Sequence, residues 1–342
     1  MTRFRFVLLG TGFIARLWMK TMAAREDCEV VGIASRRDLE GELHRDFGIA
    51  RGTPLYSSWV EAVDRCDADG VLITLPQAMH PVAVIRALRA GRHVLCEKPL
   101  SLNLSGARAV FEETQKHPGR VVMLNQNFRW RPHTQTLRKA IREERVGRIG
   151  HILYECRQQI RRKTVDAWRE KMPEPYLLDF AIHHFDLIRF LTGDEPTRLM
   201  GMSFRPSWSW FESNSAAAAI LTLRSGAVVD YGGTMVSLGL ETPQEGLITV
   251  IGEKGTLHLD GESRITLHGQ GEVRTLPQEP IAGGELGYAM TEFLEAIRGK
   301  RQPETHVAEH IRSLALPLAV MESSRRGAAV DLSEFTDFLK IE

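Results

Sequence analysis

Short apolar runs alternate with helical patterns over the first third of the chain. "RFRFVLLG" reads as a buried strand beginning at Arg3, followed by a helix over about Phe13 to Ala24. "CEVVGIAS" is a second strand, with a helix from Asp38 to Phe47. "DGVLITLP" and "RHVLCEK" are later strands separated by a helical pattern from His80 to Ala90, and "GRVVMLN" follows a helix around Leu104 to Lys116. Strands alternating with helices of this length predict βαβ units and a parallel sheet. The rhythm changes near residue 125. One more helix (Thr134 to Glu144) leads into the longer strand "GHILYECRQQI" and a helix from about Tyr176 to Leu191. From Arg198 to about Leu276 the chain is mostly strand-like, with Gly-containing turns that suggest antiparallel meanders. Helices return at Leu286 to Arg298 and Val307 to Ser324, where Pro317 predicts a kink or an early end. The expected organisation is an α/β chain: a doubly wound parallel sheet over residues 1–124, then an α+β domain over 125–342.

Composition narrows the function. Among 342 residues, Lys plus Arg (44) nearly balances Asp plus Glu (43), which argues against nucleic acid or an anionic membrane as the main partner. The cluster Arg157, Arg161, Arg162, Lys163 is local and reads as a solvated loop or as contact with an anionic ligand group. Four scattered cysteines suit free thiols in a reducing compartment. A strand starting at Arg3 leaves no room for a signal peptide and no apolar run spans a bilayer, so a cytoplasmic location is expected.

Four stretches carry candidate chemistry. "GTGFIA" sets Gly10, Gly12 and Ala15 between the first strand and first helix, the G-x-G-x-x-A form of the dinucleotide fingerprint, with Thr11, Phe13 and Ile14 in the same cofactor-side turn. The first Gly permits the tight turn, the second lets backbone approach a pyrophosphate, and small Ala15 lets helix and strand pack closely. The second strand ends in Ser35, Arg36 and Arg37, where an acidic residue would favour NAD; a hydroxyl and guanidinium groups favour the 2′-phosphate of NADP over NAD. "CEKP" places Glu97 and Lys98 at a strand's C-terminal end, where open α/β sheets bind ligands and where a partly desolvated lysine can exchange protons. In "YLLDFAIHHFDLIRFLTG", α-helical spacing puts Asp179, His183 and Asp186 on one face. His184 is turned about 100° away, with Phe180, Leu187 and Ile188. A metal on that face would need a further ligand that nothing in the sequence identifies, and no metal is expected.

Together these motifs resemble the glucose–fructose oxidoreductase / inositol dehydrogenase / MocA family of NAD(P)-dependent enzymes. "VLITLPQAMH" is similar to that family's T-P-x-x-x-H cofactor loop, "NQNFRWRP" to its N-x-x-x-R segment, "AWRE" to its W-R pair, and "GYAMTEFLEAIRGKRQP" to a helix near its C-terminal end. The resemblance implies a Rossmann domain followed by a domain built on a large, mainly antiparallel open sheet, through which the chain would form a homodimer or homotetramer. It implies hydride transfer between the nicotinamide and a secondary alcohol or carbonyl of a sugar, inositol or related polyol. Lys98 and His183 match the proton-transfer positions, with Asp179 assisting. Leu75, Pro76, His80, Glu97, Lys98, Asn125, Arg129, Trp168 and Arg169 join the fingerprint residues on the cofactor side. Lys98, His183, His184 and Tyr288 are the substrate-side candidates. The chain departs from the family pattern in "KMPEPYLL" before the motif helix, in Ala181 where Gly is usual, and in Leu75 where Thr is usual. Two other activities fit the resemblance: a glycoside hydrolase using NAD in a transient oxidation, and a cofactor-sensing protein without turnover.

Overall fold

A computed structural model describes residues 3–37, 40–162, 167–269 and 271–340. Its first sheet comprises β1 (Phe4–Leu9), β2 (Cys28–Ala34), β3 (Leu55–Tyr56), β4 (Gly70–Ile73), β5 (His93–Cys96) and β6 (Val122–Leu124). All neighbours are parallel, in the order β3-β2-β1-β4-β5-β6. The strands are joined by α1 (Phe13–Ala23), α2 (Glu40–Phe47), α3 (Trp59–Arg65), α4 (His80–Arg89) and α5 (Leu104–Gln115). Phe6 to Leu9 and Val94 to Cys96 are buried runs without polar interruption, as expected of strands covered on both faces. Strand order reverses at β1. The crevice beyond the C-terminal ends of β1 and β4 is therefore the topological switch point, the usual ligand position in such sheets.

The second sheet contains β7 (Ile149–Arg157), β8 (Pro196–Phe204), β9 (Ala216–Leu223), β10 (Val228–Thr234), β11 (Leu247–Gly252), β12 (Gly255–Leu259), β13 (Ile265–Gly269), β14 (Glu272–Leu276) and β15 (Val330–Asp331). Their order is β14-β13-β12-β11-β7-β10-β9-β8-β15, antiparallel throughout except for the β7–β10 pair. Period-two alternation fixes its faces: Leu199, Leu221, Val229, Tyr231, Ile152, Tyr154, Ile248 and Val250 are buried, and the residues between them point the other way. With this sheet go α6 (Pro132–Arg142) and α7 (Ile182–Thr192).

The chain divides into two compact units, residues 1–127 with 282–311, and residues 128–281 with 312–342. The sequence reading placed one break, at 124/125. The first unit also takes back α8 (Gly284–Arg298), whose Phe293 ring lies 6.0 Å from Phe4 and 5.8 Å from Phe6, and the strand-like edge at Thr305, which pairs with Leu124.

Three local features depart from the sequence pattern. β3 and α3 are too short for periodicity to reveal. The helix α9 (Val307–Arg326) continues past Pro317. Its neighbours Leu314, Ala315, Leu316, Leu318, Ala319 and Val320 are all buried, and that burial offsets the roughly 3 kcal/mol a mid-helix proline costs. The segment Tyr176–Ala181 winds as a π-helix before α7 begins. The three- and four-residue face rule assumes 3.6 residues per turn, so it does not carry from Asp179 across this wind to His183 and Asp186.

Candidate functional site

Gly10 ends β1 with φ at +101°, a conformation that favours glycine, and a Cβ there would lie 2.8 Å from the Thr74 carbonyl oxygen. A Cβ on Gly12 would meet nothing within 4 Å, so backbone at this turn can be approached closely. Gly12 is the N-cap of α1, which has no side-chain cap and no acidic residue in its first turn. Its leading N–H groups and positive dipole end suit an anion. Ala15 is fully buried, as the close packing of helix on strand requires, whereas Phe13 is exposed and Ile14 half-buried. These residues fit a dinucleotide pyrophosphate.

The end of β2 braces this turn. Thr11 Oγ1 and Ser35 Oγ are 3.1 Å apart, and Arg37 donates to the Thr11 carbonyl at 2.9 Å and, through its backbone N–H, to Ser35 Oγ at 3.1 Å. Arg37 is thereby engaged with the loop itself, while Arg36 is exposed beside it. At the end of β4, Leu75 is half-buried and Pro76 exposed. His80, at the start of α4, is buried with Nδ1 2.7 Å from the Pro99 carbonyl oxygen and Nε2 2.8 Å from that of Leu75. Carbonyl oxygens only accept, so a neutral ring satisfies one of them and an imidazolium both. Burial pulls the His80 pKa below its ordinary value against the two carbonyls, which favours the neutral ring. With its proton on Nδ1, the neutral ring donates to Pro99 and ties the start of α4 to the β5 loop.

At the end of β5, the peptide between Lys98 and Pro99 is cis, Lys98 is half-buried and Glu97 is buried. Two donors converge on Glu97 Oε1, the Trp18 indole N–H and the Asn125 amide N–H, each at 2.8 Å. Burial pushes the Glu97 carboxyl above its ordinary pKa, and these donors and Lys98 oppose the rise by favouring the carboxylate. Tyr288 belongs to the same unit, half-buried on α8; burial, then nearby Glu304, Glu292 and Glu295, raises its pKa.

The second unit gathers the other predicted residues. His183 is buried and stacked on Phe128, ring centroids 4.1 Å apart and planes 11° from parallel. Asp179 is buried and ion-paired with Arg169, whose guanidinium carbon lies 5.0 Å from the Trp168 ring centroid. His184 is fully buried, with Nε2 2.8 Å from the Gln244 carbonyl oxygen and Nδ1 2.9 Å from the Tyr231 hydroxyl, itself 2.7 Å from that of Tyr176. The carbonyl requires Nε2–H, so in the neutral ring Nδ1 accepts from Tyr231. That geometry supports packing. Arg129 makes a buried, two-pronged pair with Asp186 at 2.6 and 2.7 Å, and the Ser313 hydroxyl donates to the same carboxylate at 2.7 Å. That pairing holds Asp186 as a structural carboxylate. In the basic cluster, Arg157 pairs with Glu155 and Arg162 with Glu170; Lys163 lies outside the described residues.

Two family models match the chain in succession. The oxidoreductase family with an NAD-binding Rossmann fold covers residues 4–126, and the GFO/IDH/MocA C-terminal domain covers residues 134–258. The chain belongs to the Gfo/Idh/MocA family of oxidoreductases. It is 28% identical to a D-apiose dehydrogenase of Paraburkholderia graminis, over 96% of this chain and 90% of the relative. It is 27% identical to a 1,5-anhydro-D-fructose reductase of Ensifer adhaerens, over 96% of this chain and 98% of the relative. In fold it is similar to an Agrobacterium radiobacter oxidoreductase whose crystal structure is a complex with NAD+, L-tartaric acid and magnesium; the TM-score is 0.88 at 20% identity, covering 97% of this chain and 99% of that one.

Gfo/Idh/MocA membership makes the first unit an NAD-binding Rossmann domain and the chain an oxidoreductase acting on CH–OH groups. No helix among the described residues is long and apolar enough to cross a membrane. One residue of the nucleotide edge escaped the sequence reading: Trp18, whose indole N–H reaches a carboxylate 79 positions away. A tryptophan within an apolar helix face gives no sign of so distant a partner.

Proposed function

We propose that this chain is an NAD(P)-dependent dehydrogenase or reductase that interconverts a secondary alcohol and a carbonyl on a sugar or polyol. The observation that carries this reading is the shared edge of the first sheet. The glycine turn after β1 and Lys98 after β5 both follow the C-terminal ends of parallel strands. The activities named for the two relatives, on D-apiose and 1,5-anhydro-D-fructose, support the substrate class. A bound nicotinamide would supply the two-electron acceptor or donor. Gly10, Thr11, Gly12, Phe13, Ile14 and Ala15 hold the pyrophosphate side, and Leu75, Pro76, His80, Glu97 and Asn125 shape the edge beyond it. Lys98 polarises the reacting oxygen and His183 takes or returns its proton, as an imidazole held on Phe128 can near neutral pH. Asp179, paired with Arg169, supplies negative charge one element away from His183. Trp168 and Tyr288 are candidates at the margins of the ligand.

NADP is the proposed cofactor over NAD, because Ser35 and exposed Arg36 stand where a carboxylate would serve NAD. A panel of sugars and polyols, run with each cofactor and followed by nicotinamide absorbance, tests both points. Turnover of at least one member is expected, with NADP preferred, and Arg36→Ala should weaken NADP roughly 10-fold while sparing NAD. Equal affinities in the wild type would end the NADP preference, and no turnover across the panel would end the substrate class.

The second sheet supports a homo-oligomer. On its outer face Met200, Ile220, Asp230, Leu153 and Thr249 lie in register across five strands, beside exposed Met202 and Phe204. A second copy of the same face is the proposed cover, since a twofold interface is self-complementary. Met202, 60% exposed, is the probe. Met202→Lys should reduce the light-scattering mass to that of one chain with an unchanged circular dichroism spectrum; a wild type already monomeric would refute the proposal.

A further inference from the structure

Glu97 is a buried carboxylate beside Lys98, held by two donors that come from different elements. Trp18 reaches it from α1, the helix opened by the glycine turn, and Asn125 reaches it from the end of β6, where its backbone N–H is bonded to the Cys96 carbonyl at 2.9 Å. Both donors bond the same oxygen, at 2.8 Å. An indole N–H can only donate and an ionised carboxylate can only accept, so this contact exists as a hydrogen bond only in one sense. A phenylalanine would serve a purely apolar role on the buried face of α1 equally well.

We propose that Trp18 is a positioning residue for Lys98: its indole N–H fixes the Glu97 side chain and keeps it a carboxylate, so that Lys98 works next to a stationary negative charge. This rests on the reading of Lys98 given above. The contact links the helix under the pyrophosphate turn to the proton-transfer end of the same sheet edge. Removing the N–H leaves the buried carboxylate with one donor fewer and favours its protonation, which removes the charge beside Lys98.

The test uses the full chain with 13C-labelled glutamate carboxyls and Trp18→Phe, the Glu97 resonance being assigned by its loss in Glu97→Gln. In ligand-free protein the Glu97 ionisation midpoint should rise by about one pH unit or more in Trp18→Phe. With a substrate from the panel, the acid limb of kcat/KM should move up by the same interval, while NADPH affinity above both midpoints stays within about twofold. Asn125→Ala deletes the other donor and should shift the same resonance in the same direction, which keeps the idea testable if Trp18→Phe does not fold. An unmoved Glu97 titration in the folded variants overturns the proposal, as does loss of activity that is equal at every pH and matched by loss of NADPH binding. A shifted resonance without any panel turnover instead counts against the reading of function, because the titration needs neither cofactor nor substrate.

Discussion

Lys98→Ala is expected to lower turnover about 10³-fold on any substrate that the panel yields, with NADPH affinity and thermal midpoint near those of the wild type. A half-buried lysine directly after a buried strand, with Pro99 behind it and a sealed carboxylate before it, is fixed far more firmly than a surface lysine. In the proposed reaction its ammonium group would meet an oxygen that gains negative charge in one direction and loses a proton in the other. Stabilisation of that charge and general acid–base assistance are each worth a factor of 10² to 10⁴ in general. The glycine turn, by contrast, binds with backbone groups that the substitution does not touch. A variant retaining a tenth or more of wild-type kcat would remove Lys98 from the chemistry, whereas parallel loss of NADPH binding would recast it as a binding residue.

The second large effect is on stability. Asp186→Ala should lower the unfolding free energy by about 3–5 kcal/mol, read from denaturant midpoints at constant slope. The cause is the charge left behind. Arg129 is 3% exposed and both prongs of its guanidinium rest on Asp186, with Phe190 at 4.9 Å. Cutting the carboxylate away leaves a buried cation and unpartners the Ser313 hydroxyl from that acceptor. Asp186→Asn keeps the shape and should cost less. Arg65→Ala, which loses an exposed i,i+4 pair with Glu61, should change stability by less than about 0.5 kcal/mol. Equal effects at the two sites would refute the argument from burial.

What could be read from the sequence divides along physical lines. The parallel sheet was legible because a strand covered on both faces must carry an uninterrupted apolar run, as Phe6–Leu9, Val71–Ile73 and Val94–Cys96 do in β1, β4 and β5. The glycine turn and Lys98 were legible because each motif is local, its geometry set within a few residues. β3 and α3 were not, since two and seven residues carry too little periodicity. The pairing of Arg129 with Asp186 spans 57 positions and that of Trp18 with Glu97 spans 79, and no spacing rule reaches so far. The motif helix was half legible. Its two histidines do separate, His183 stacking on Phe128 and His184 sealed against Tyr231, but the π-helical wind through Asp179 changes the phase on which the face assignment relied.

The return of residues 282–311 to the first unit also constrains the order in which the protein is made. As the chain leaves the ribosome, the five helices and six strands of its first third emerge long before Phe293, the ring that packs beside Phe4 and Phe6. Arg25 likewise awaits the Gly287 carbonyl and the Thr291 hydroxyl, and Leu124 awaits Thr305. Most of the nucleotide-binding unit is therefore synthesised before residues 128–281 but completed only after them. During the interval Phe4 and Phe6 lack the Phe293 ring that packs beside them, the kind of transiently exposed apolar surface on which folding chains aggregate.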